Sequence, residues 1–214
     1  MKKLSIVAGL LAALLLLGGC GKPDRPSVSL FLAVQRGDLD QLERHIYWDS
    51  DINAQLPNGL YPLHVAAEKG KIILVRTLLE NAAQIDQPSA DGKTALELAI
   101  LAGRTQVAEE LLSKGAELDA SKLLLKAAKA EVTDRDIVRI LIERGANTEQ
   151  RDEDGDTPLM IAIRQDNHRL ATHLVGRGAD VNARGKDDRS ALTVAKTLGF
   201  GELVSLLQRQ GARE

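Results

Sequence analysis

The chain has 214 residues, 44% hydrophobic and 2% aromatic, and a formal charge of −2 at pH 7. This slightly acidic balance excludes the broad basic surface of a nucleic-acid-binding protein. The single cysteine excludes an intrachain disulfide, so the fold depends on packing of Leu, Ile, Val and Ala. A core so poor in aromatics favours thin, stacked helices over one large globular core.

Residues 1–19 have the pattern of a secretory signal peptide, with Lys2 and Lys3 before an apolar run. The run is shorter than the about 20 residues that a membrane-spanning helix needs, although a transmembrane anchor stays open as an alternative. Leu17-Gly18-Gly19-Cys20 then resembles the lipobox of bacterial lipoproteins. An ordinary signal peptide with an incidental cysteine is the competing hypothesis.

The lipobox resemblance implies cleavage before Cys20, acylation of this residue and attachment to a membrane. Two or more acyl chains would anchor the protein stably. Gly21, rather than aspartate, after the cysteine implies an outer-membrane lipoprotein facing the periplasm; an inner-membrane or Gram-positive location is the alternative. Residues 20–27 would form the lipidated cysteine and a short polar linker.

One constant interval dominates the sequence after the linker. Leu63 returns as Leu96, and Gly145, Gly178 and Gly211 follow one another at the same spacing. Each period reads as a turn, a short helix, a break and a second helix. The interval falls within the range of about 20–50 residues that is typical of stacked-repeat proteins.

The residues at the start of each period resemble the ankyrin repeat, which carries a T-P-L-H-x-A signature. Tyr61-Pro62-Leu63-His64 and Thr157-Pro158-Leu159-Met160 bear this resemblance. It implies an all-α ankyrin-repeat solenoid of helix-turn-helix pairs with β-hairpin-like turns. The repeat domain would cover residues 28–214 in about six repeats, with capping first and last repeats and an irregular fourth.

Several local features can be placed within this expected fold. Ser27 or Ser29 is predicted to cap the first helix, and Ser190 the first helix of the last repeat. Thr94 and Glu97 have the spacing of a capping box. Tyr47 and Trp48 would either cover the end of the stack or present an aromatic anchor to a partner.

The fourth repeat is shorter than its neighbours, because the interval from Leu96 to Leu124 is shorter than that from Leu63 to Leu96. This spacing predicts loss of the hairpin turn before Leu124 and two extra residues between the two helices. Neutral length variation, a bend in the stack and a partner-binding notch are the alternatives.

Two sets of side chains invite a metal site, and both fit poorly. Asp152, Asp154 and Asp156 match the ankyrin turn, with Gly155 too early for a calcium loop. His168 and His173 are five residues apart, whereas a zinc pair on a helix needs four and a third ligand. We therefore expect no metal, no cofactor and no catalytic site.

The ankyrin resemblance implies that turn tips and inner helices bind another protein, with no nucleic-acid or small-molecule ligand. The function expected is a lipid-anchored interaction protein of the bacterial envelope. An inhibitor or immunity protein against a toxic envelope enzyme, and a structural scaffold, are the alternatives. Carried over position by position, the predicted partner-binding residues are Asn58, Leu60, Glu68, Lys69, Asp91, Lys93, Leu101, Arg151, Asp154, Asp156, Arg164, Arg184, Asp187 and Arg189.

Overall fold

The structure is a computed structural model and describes residues 22–185 and 188–214. The predicted signal peptide, Cys20 and Asp187 lie outside the described residues. The described part contains twelve helices in six consecutive pairs. In chain order they are α1 (Leu30–Arg36), α2 (Leu39–Tyr47), α3 (Pro62–Glu68), α4 (Ile72–Glu80), α5 (Ala95–Leu101), α6 (Thr105–Ser113), α7 (Ala120–Lys129), α8 (Arg135–Glu143), α9 (Pro158–Arg164), α10 (His168–Gly176), α11 (Ala191–Leu198) and α12 (Gly201–Arg209).

The helices form two layers. The first helix of each pair packs against the first helices of the neighbouring pairs, and the second helices do the same. We call α1, α3, α5, α7, α9 and α11 the inner helices, and the others the outer helices. The expected all-α ankyrin-repeat solenoid is therefore confirmed.

The core lies between the layers and is aliphatic. Alanines such as Ala66, Ala99 and Ala162 are fully buried on the inner helices, where their small side chains allow close approach. Leu78, Leu111 and other outer-helix leucines fill the space behind them. The buried apolar side chains of the described residues come from all six helix pairs, from Ala33 on α1 to Leu207 on α12, so residues 22–214 have a core of their own.

Helix starts follow the predicted capping chemistry at several places. The Ser29 Oγ accepts the N–H of Leu32 at 3.3 Å, and the Ser190 Oγ accepts the N–H of Thr193 at 3.2 Å. Both predicted caps are confirmed. Within the described residues, no helix is long and apolar enough to cross a membrane.

Candidate functional site

Four turns between helix pairs share one hydrogen-bond pattern, and we call them fingers. They cover residues 56–60, 89–93 and 152–156, and the described residues of the fourth are Gly185, Asp188 and Arg189. In each finger the first residue's N–H donates to the C=O of the fifth, and the N–H of the fourth donates to the C=O of the first. In the second finger these bonds join Ser89 to Lys93 and Gly92 to Ser89, both at 2.9 Å. The expected β-hairpin-like turns are these fingers.

Neighbouring fingers are connected in two pairs. The N–H of Ala90 donates to the C=O of Gly59 at 3.0 Å, which joins the first finger to the second. Arg151 donates through Nη1 to the C=O of Gly155 at 2.6 Å and of Arg184 at 2.5 Å, which joins the third finger to the residue just before the fourth. The finger row therefore consists of two halves.

No finger forms between these halves. The connectors before α3, α5, α9 and α11 are equal in length, for example 81–94, whereas the connector before α7, 114–119, is less than half as long. Helix α7 is one turn longer than α5, and residues 130–134 separate it from α8. The shortened fourth repeat thus loses its finger and gains two residues between its helices, as the spacing predicts.

His64 holds the first two fingers in place. Its Nδ1 accepts the N–H of Tyr61 at 3.2 Å, and its Nε2 lies 3.0 Å from the C=O of Lys93. The side chain is only 1% exposed, and burial lowers the pKa of His64. The neutral ring with its proton on Nε2 satisfies both contacts, so His64 is a structural link between repeats.

The aspartates of the third finger organise the turn. The Asp152 carboxylate accepts the N–H groups of Asp154 and Asp156, both at 3.0 Å, and pairs with Lys129 at 2.9 Å. Asp156 is 6% exposed, and its carboxylate accepts from Arg164 Nε at 2.6 Å. Within the described residues no group of three or more His, Cys, Asp or Glu is arranged to hold a metal ion.

The predicted partner-binding residues differ in their accessibility. Asn58, Lys69, Asp91, Arg151, Asp154 and Arg184 are exposed. Leu60, Glu68, Lys93, Leu101, Arg164 and Arg189 are half-buried, whereas Asp156 is buried. The predicted role of these residues in partner binding stays a prediction.

Lys69 and Asp91 are unlike several charged side chains of the outer helices, which form ion pairs. Among the described residues, neither has an ion-pair partner. On the outer helices, Arg76 pairs with Glu110 at 2.8 Å and Arg139 pairs with Glu143 at 2.8 Å. Both charges, Lys69 at the C-terminal end of α3 and Asp91 in the second finger, are therefore available to another molecule. We call the fingers and the inner helices together the finger face.

Trp48 has a role that the sequence does not reveal. Its Nε1 lies 3.1 Å from the C=O of Pro23 and 3.2 Å from that of Asp24, and the Arg25 guanidinium lies 5.1 Å from the ring centroid. In this arrangement Trp48 holds the linker against the first helix pair, and its two predicted roles, covering the end of the stack or anchoring a partner, stay predictions. The interaction joins residues far apart in the sequence, so no local pattern predicts it.

A protein-family model described as ankyrin repeats (3 copies) matches residues 30–122 and again 123–213. A Caenorhabditis elegans homolog of transient receptor potential cation channel subfamily A member 1 is 33% identical over 116 residues, or 53% of this chain and 10% of that protein. A putative ankyrin repeat-containing protein from Treponema pallidum (strain Nichols) is 28% identical over 144 residues, or 64% of this chain and 48% of that protein. The chain spans less than half the length of these relatives.

Two solved structures are similar to most of this chain, each with a TM-score of 0.72 and 27% identity. One is a chain from a Bdellovibrio bacteriovorus predatory endopeptidase in complex with an immunity protein; the match covers 86% of this chain and 99% of that one. The other is the ankyrin repeat domain of Bcl-3, a member of the IkappaB family, with 89% of each chain covered.

Proposed function

Because this chain belongs to the ankyrin repeat family, we propose that it binds another protein through its fingers and inner helices, without catalysis of its own. The observation that carries this proposal is the finger face itself. Finger residues such as Asn58 and Asp91 are exposed, and exposed charges such as Lys69 and Asp91 have no ion-pair partner among the described residues. Charges of this kind steer encounter and fix the register of a complex.

We propose further that Cys20 carries lipid and holds the protein on the periplasmic face of a bacterial outer membrane. The lipobox-like Leu17-Gly18-Gly19-Cys20 supports this location. Cys20→Ala is expected to abolish incorporation of a fatty-acid probe and to leave the precursor uncleaved. Labelling that persists in this variant would contradict lipidation at Cys20.

The narrower function that we favour is inhibition of an envelope-acting enzyme, as an immunity protein acts. The similarity to a chain from the endopeptidase–immunity protein complex supports this choice, because the match covers 99% of that chain. A scaffold for an envelope complex is the second candidate. The two differ in outcome: an inhibitor abolishes enzyme activity at a stoichiometric ratio, whereas a scaffold leaves it intact.

The test is capture of the partner by crosslinking in the envelope of the source organism, followed by its identification. The captured protein is then assayed for peptide hydrolysis with and without residues 22–214. Stoichiometric loss of activity would support inhibition. Unchanged activity in a stable complex would favour the scaffold.

A matched pair of double variants tests the binding surface. Lys69→Glu with Asp91→Lys exchanges the finger-face charges, whereas Lys114→Glu with Glu80→Lys makes the same exchange at exposed outer-layer positions. We expect the first pair to weaken binding of the captured partner by about tenfold and the second to leave it unchanged. Equal affinities for both variants would place the interface elsewhere on the protein.

A further inference from the structure

The missing finger leaves a cleft between the second and third fingers. Its volume is about 430 Å³, within the usual range for ligand pockets. Gly92, Thr94 and Glu97 line one side, and Leu118, Asp119 and Lys122 line the other. We call this space the cleft.

A comparison of two equivalent glycines shows that the cleft is open. Gly59 and Gly92 occupy the same position in the first two fingers, one repeat period apart. A Cβ atom added to Gly59 would lie 2.9 Å from Ala90 Cβ, in the next finger. A Cβ atom added to Gly92 would meet nothing within 4 Å. The second finger therefore has a free flank where the next finger is missing.

The inner side of the cleft carries an ion pair next to two buried leucines. Leu96 and Leu123 line it and are 1% and 7% exposed, respectively. Lys126 Nζ lies 2.6 Å from Glu97 Oε1, and the Glu97 side chain is only 12% exposed. Such an ion pair pays a desolvation cost and is weak evidence for a purely stabilising role.

Other repeats have an aliphatic residue where Lys126 stands. Lys126 follows Leu124 by two positions, just as Leu98 follows Leu96. At this position α3, α5, α9 and α11 carry Val65, Leu98, Ile161 and Val194, all of which are buried. The fourth repeat alone among these has a charge here, directly beneath the missing finger.

The lining charges indicate which side chain the cleft would accept. Its carboxylates are Glu97, Glu117 and Asp119, and its ammonium groups are Lys122 and Lys126. Since Glu97 and Lys126 neutralise each other, two carboxylates face one ammonium group, and an excess of one negative charge remains. An incoming group with one positive charge and an apolar stem would balance this charge and contact Leu118, the half-buried leucine of the lining.

We propose that the cleft binds an arginine or lysine side chain on a protruding loop of the partner protein. The stem would pack on the half-buried Leu118, and the head would reach the carboxylates of Glu117 and of Asp119, whose Oδ1 also accepts the N–H of Lys122 at 3.0 Å. Arginine suits this site well, because its planar guanidinium binds carboxylates in a bidentate manner. This inference rests on the proposed function, since it assigns one element of the partner to one part of the binding surface.

Peptide titration tests the cleft without the partner. Isotope-labelled residues 22–214 are titrated with acetyl-Gly-Leu-Arg-Leu-Gly-amide and followed by amide chemical shifts. Saturable shifts are expected at Gly92, Thr94, Leu118 and Lys122, with a dissociation constant on the order of 1 mM. The same peptide with citrulline, which is uncharged and nearly isosteric, should bind about fivefold more weakly.

Charge reversal within the cleft supplies the second arm. Glu117→Lys alters an exposed side chain with no ion-pair partner among the described residues, and should weaken arginine-peptide binding by at least about fivefold. Glu80→Lys makes the same change at an exposed position on α4, outside the cleft, and should leave binding unchanged. Equal melting temperatures for the two variants would show that both are folded.

The proposal is overturned if no saturable shift occurs, if shifts scatter over the surface, or if citrulline and arginine peptides bind equally. Failure in the cleft would leave capture of a protein by the fingers unaffected. If the arginine peptide binds saturably but no protein is captured, the proposed function is contradicted. The cleft would then still stand as a binding site for a cationic side chain.

Discussion

Single residues in this stack form links that span repeats, and Trp48 is an example at the N-terminus. Its indole contacts the backbone of residues 23 and 24, while Ser27 N–H donates to the buried Gln41 Oε1 at 2.8 Å. The linker is therefore fixed against the first helix pair. If Cys20 is acylated, this contact would keep the first repeat near the membrane.

Fluorescence of the only tryptophan reports this contact directly. Removal of residues 22–27 should shift Trp48 emission to longer wavelength and increase quenching by acrylamide, because the indole loses both carbonyl acceptors and the Arg25 guanidinium. Lys22→Ala, at an exposed position, serves as the control. An unchanged spectrum after removal would contradict the fixed linker.

His64 makes stability depend on pH. Its pKa is lowered by burial in the folded state, whereas the unfolded chain titrates at about 6.5. Below this value the unfolded chain binds the proton more readily, so stability rises with pH in this window. The contribution is complete above pH of about 6.5 and is lost as pH falls toward the lower folded pKa.

Thermal unfolding from pH about 7.5 to about 5 should therefore show a falling melting temperature. His64→Gln should flatten this slope. His173, whose pKa is lowered by burial and nearby arginines, contributes in the same direction, so its Gln variant is measured alongside. A slope that is the same with and without His64 would exclude this histidine as its cause.

At the scale of elements, the sequence predicts most of the stack but misassigns one pairing. Thr94 Oγ1 accepts the N–H of Glu97 at 3.2 Å, as predicted, yet the reciprocal half of the capping box does not form. The Glu97 carboxylate instead pairs with Lys126, in the next repeat along the chain. Local spacing identifies helix starts, whereas this contact depends on a neighbouring repeat whose own length is irregular.

The predicted site shows the same division between local and distant information. Periodicity places Asn58 and Asp91 on the fingers, because the turn repeats at a fixed interval. It cannot show that the carboxylate of Asp156 is occupied by Arg164 at 2.6 Å. It also predicts the loss of a finger but not the lining of the cleft. That lining depends on how α7 packs beside α5.

The helix after the cleft depends on a single cap. The Asp134 Oδ1 accepts the N–H groups of Asp136 at 2.8 Å and Ile137 at 3.0 Å, as well as the Thr105 hydroxyl at 3.1 Å. Asp134 therefore caps the N-terminus of α8 and links this helix to α6. Asp134→Ala should lower the free energy of unfolding by about 1–2 kcal/mol, measured by urea titration.

Thr133→Ala is the control for this cap, because Thr133 is exposed and precedes the helix. We expect it to change the unfolding free energy by less than about 0.5 kcal/mol. Equal losses for the two variants would show that the Asp134 carboxylate is not the stabilising group.

At the scale of the molecule, each repeat is stabilised by its contacts with the neighbouring repeats, as in other stacked-repeat proteins. Side chains in one connector accept an N–H from the following repeat, as Asn53 does from Gln84 at 2.9 Å and Asn182 does from Arg213 at 2.8 Å. At the shortened repeat Ser121 replaces this link, accepting the N–H of Asn147 at 2.9 Å. The fourth repeat is thus the junction between two more regular halves.

A cavity at this junction should separate the unfolding of the halves. Leu124 on α7 is fully buried, and Leu124→Ala should cost about 2–5 kcal/mol. Trp48 reports only the N-terminal half, whereas far-ultraviolet circular dichroism reports every helix. In urea we expect the two signals to coincide for the unchanged chain and to separate in this variant, because the coupling between neighbouring repeats is weakened.

Leu207→Ala on α12, also at a fully buried leucine, should instead remove only a small, early part of the dichroism signal. Coincident transitions in the Leu124 variant would mean that the stack unfolds as one unit despite its missing finger.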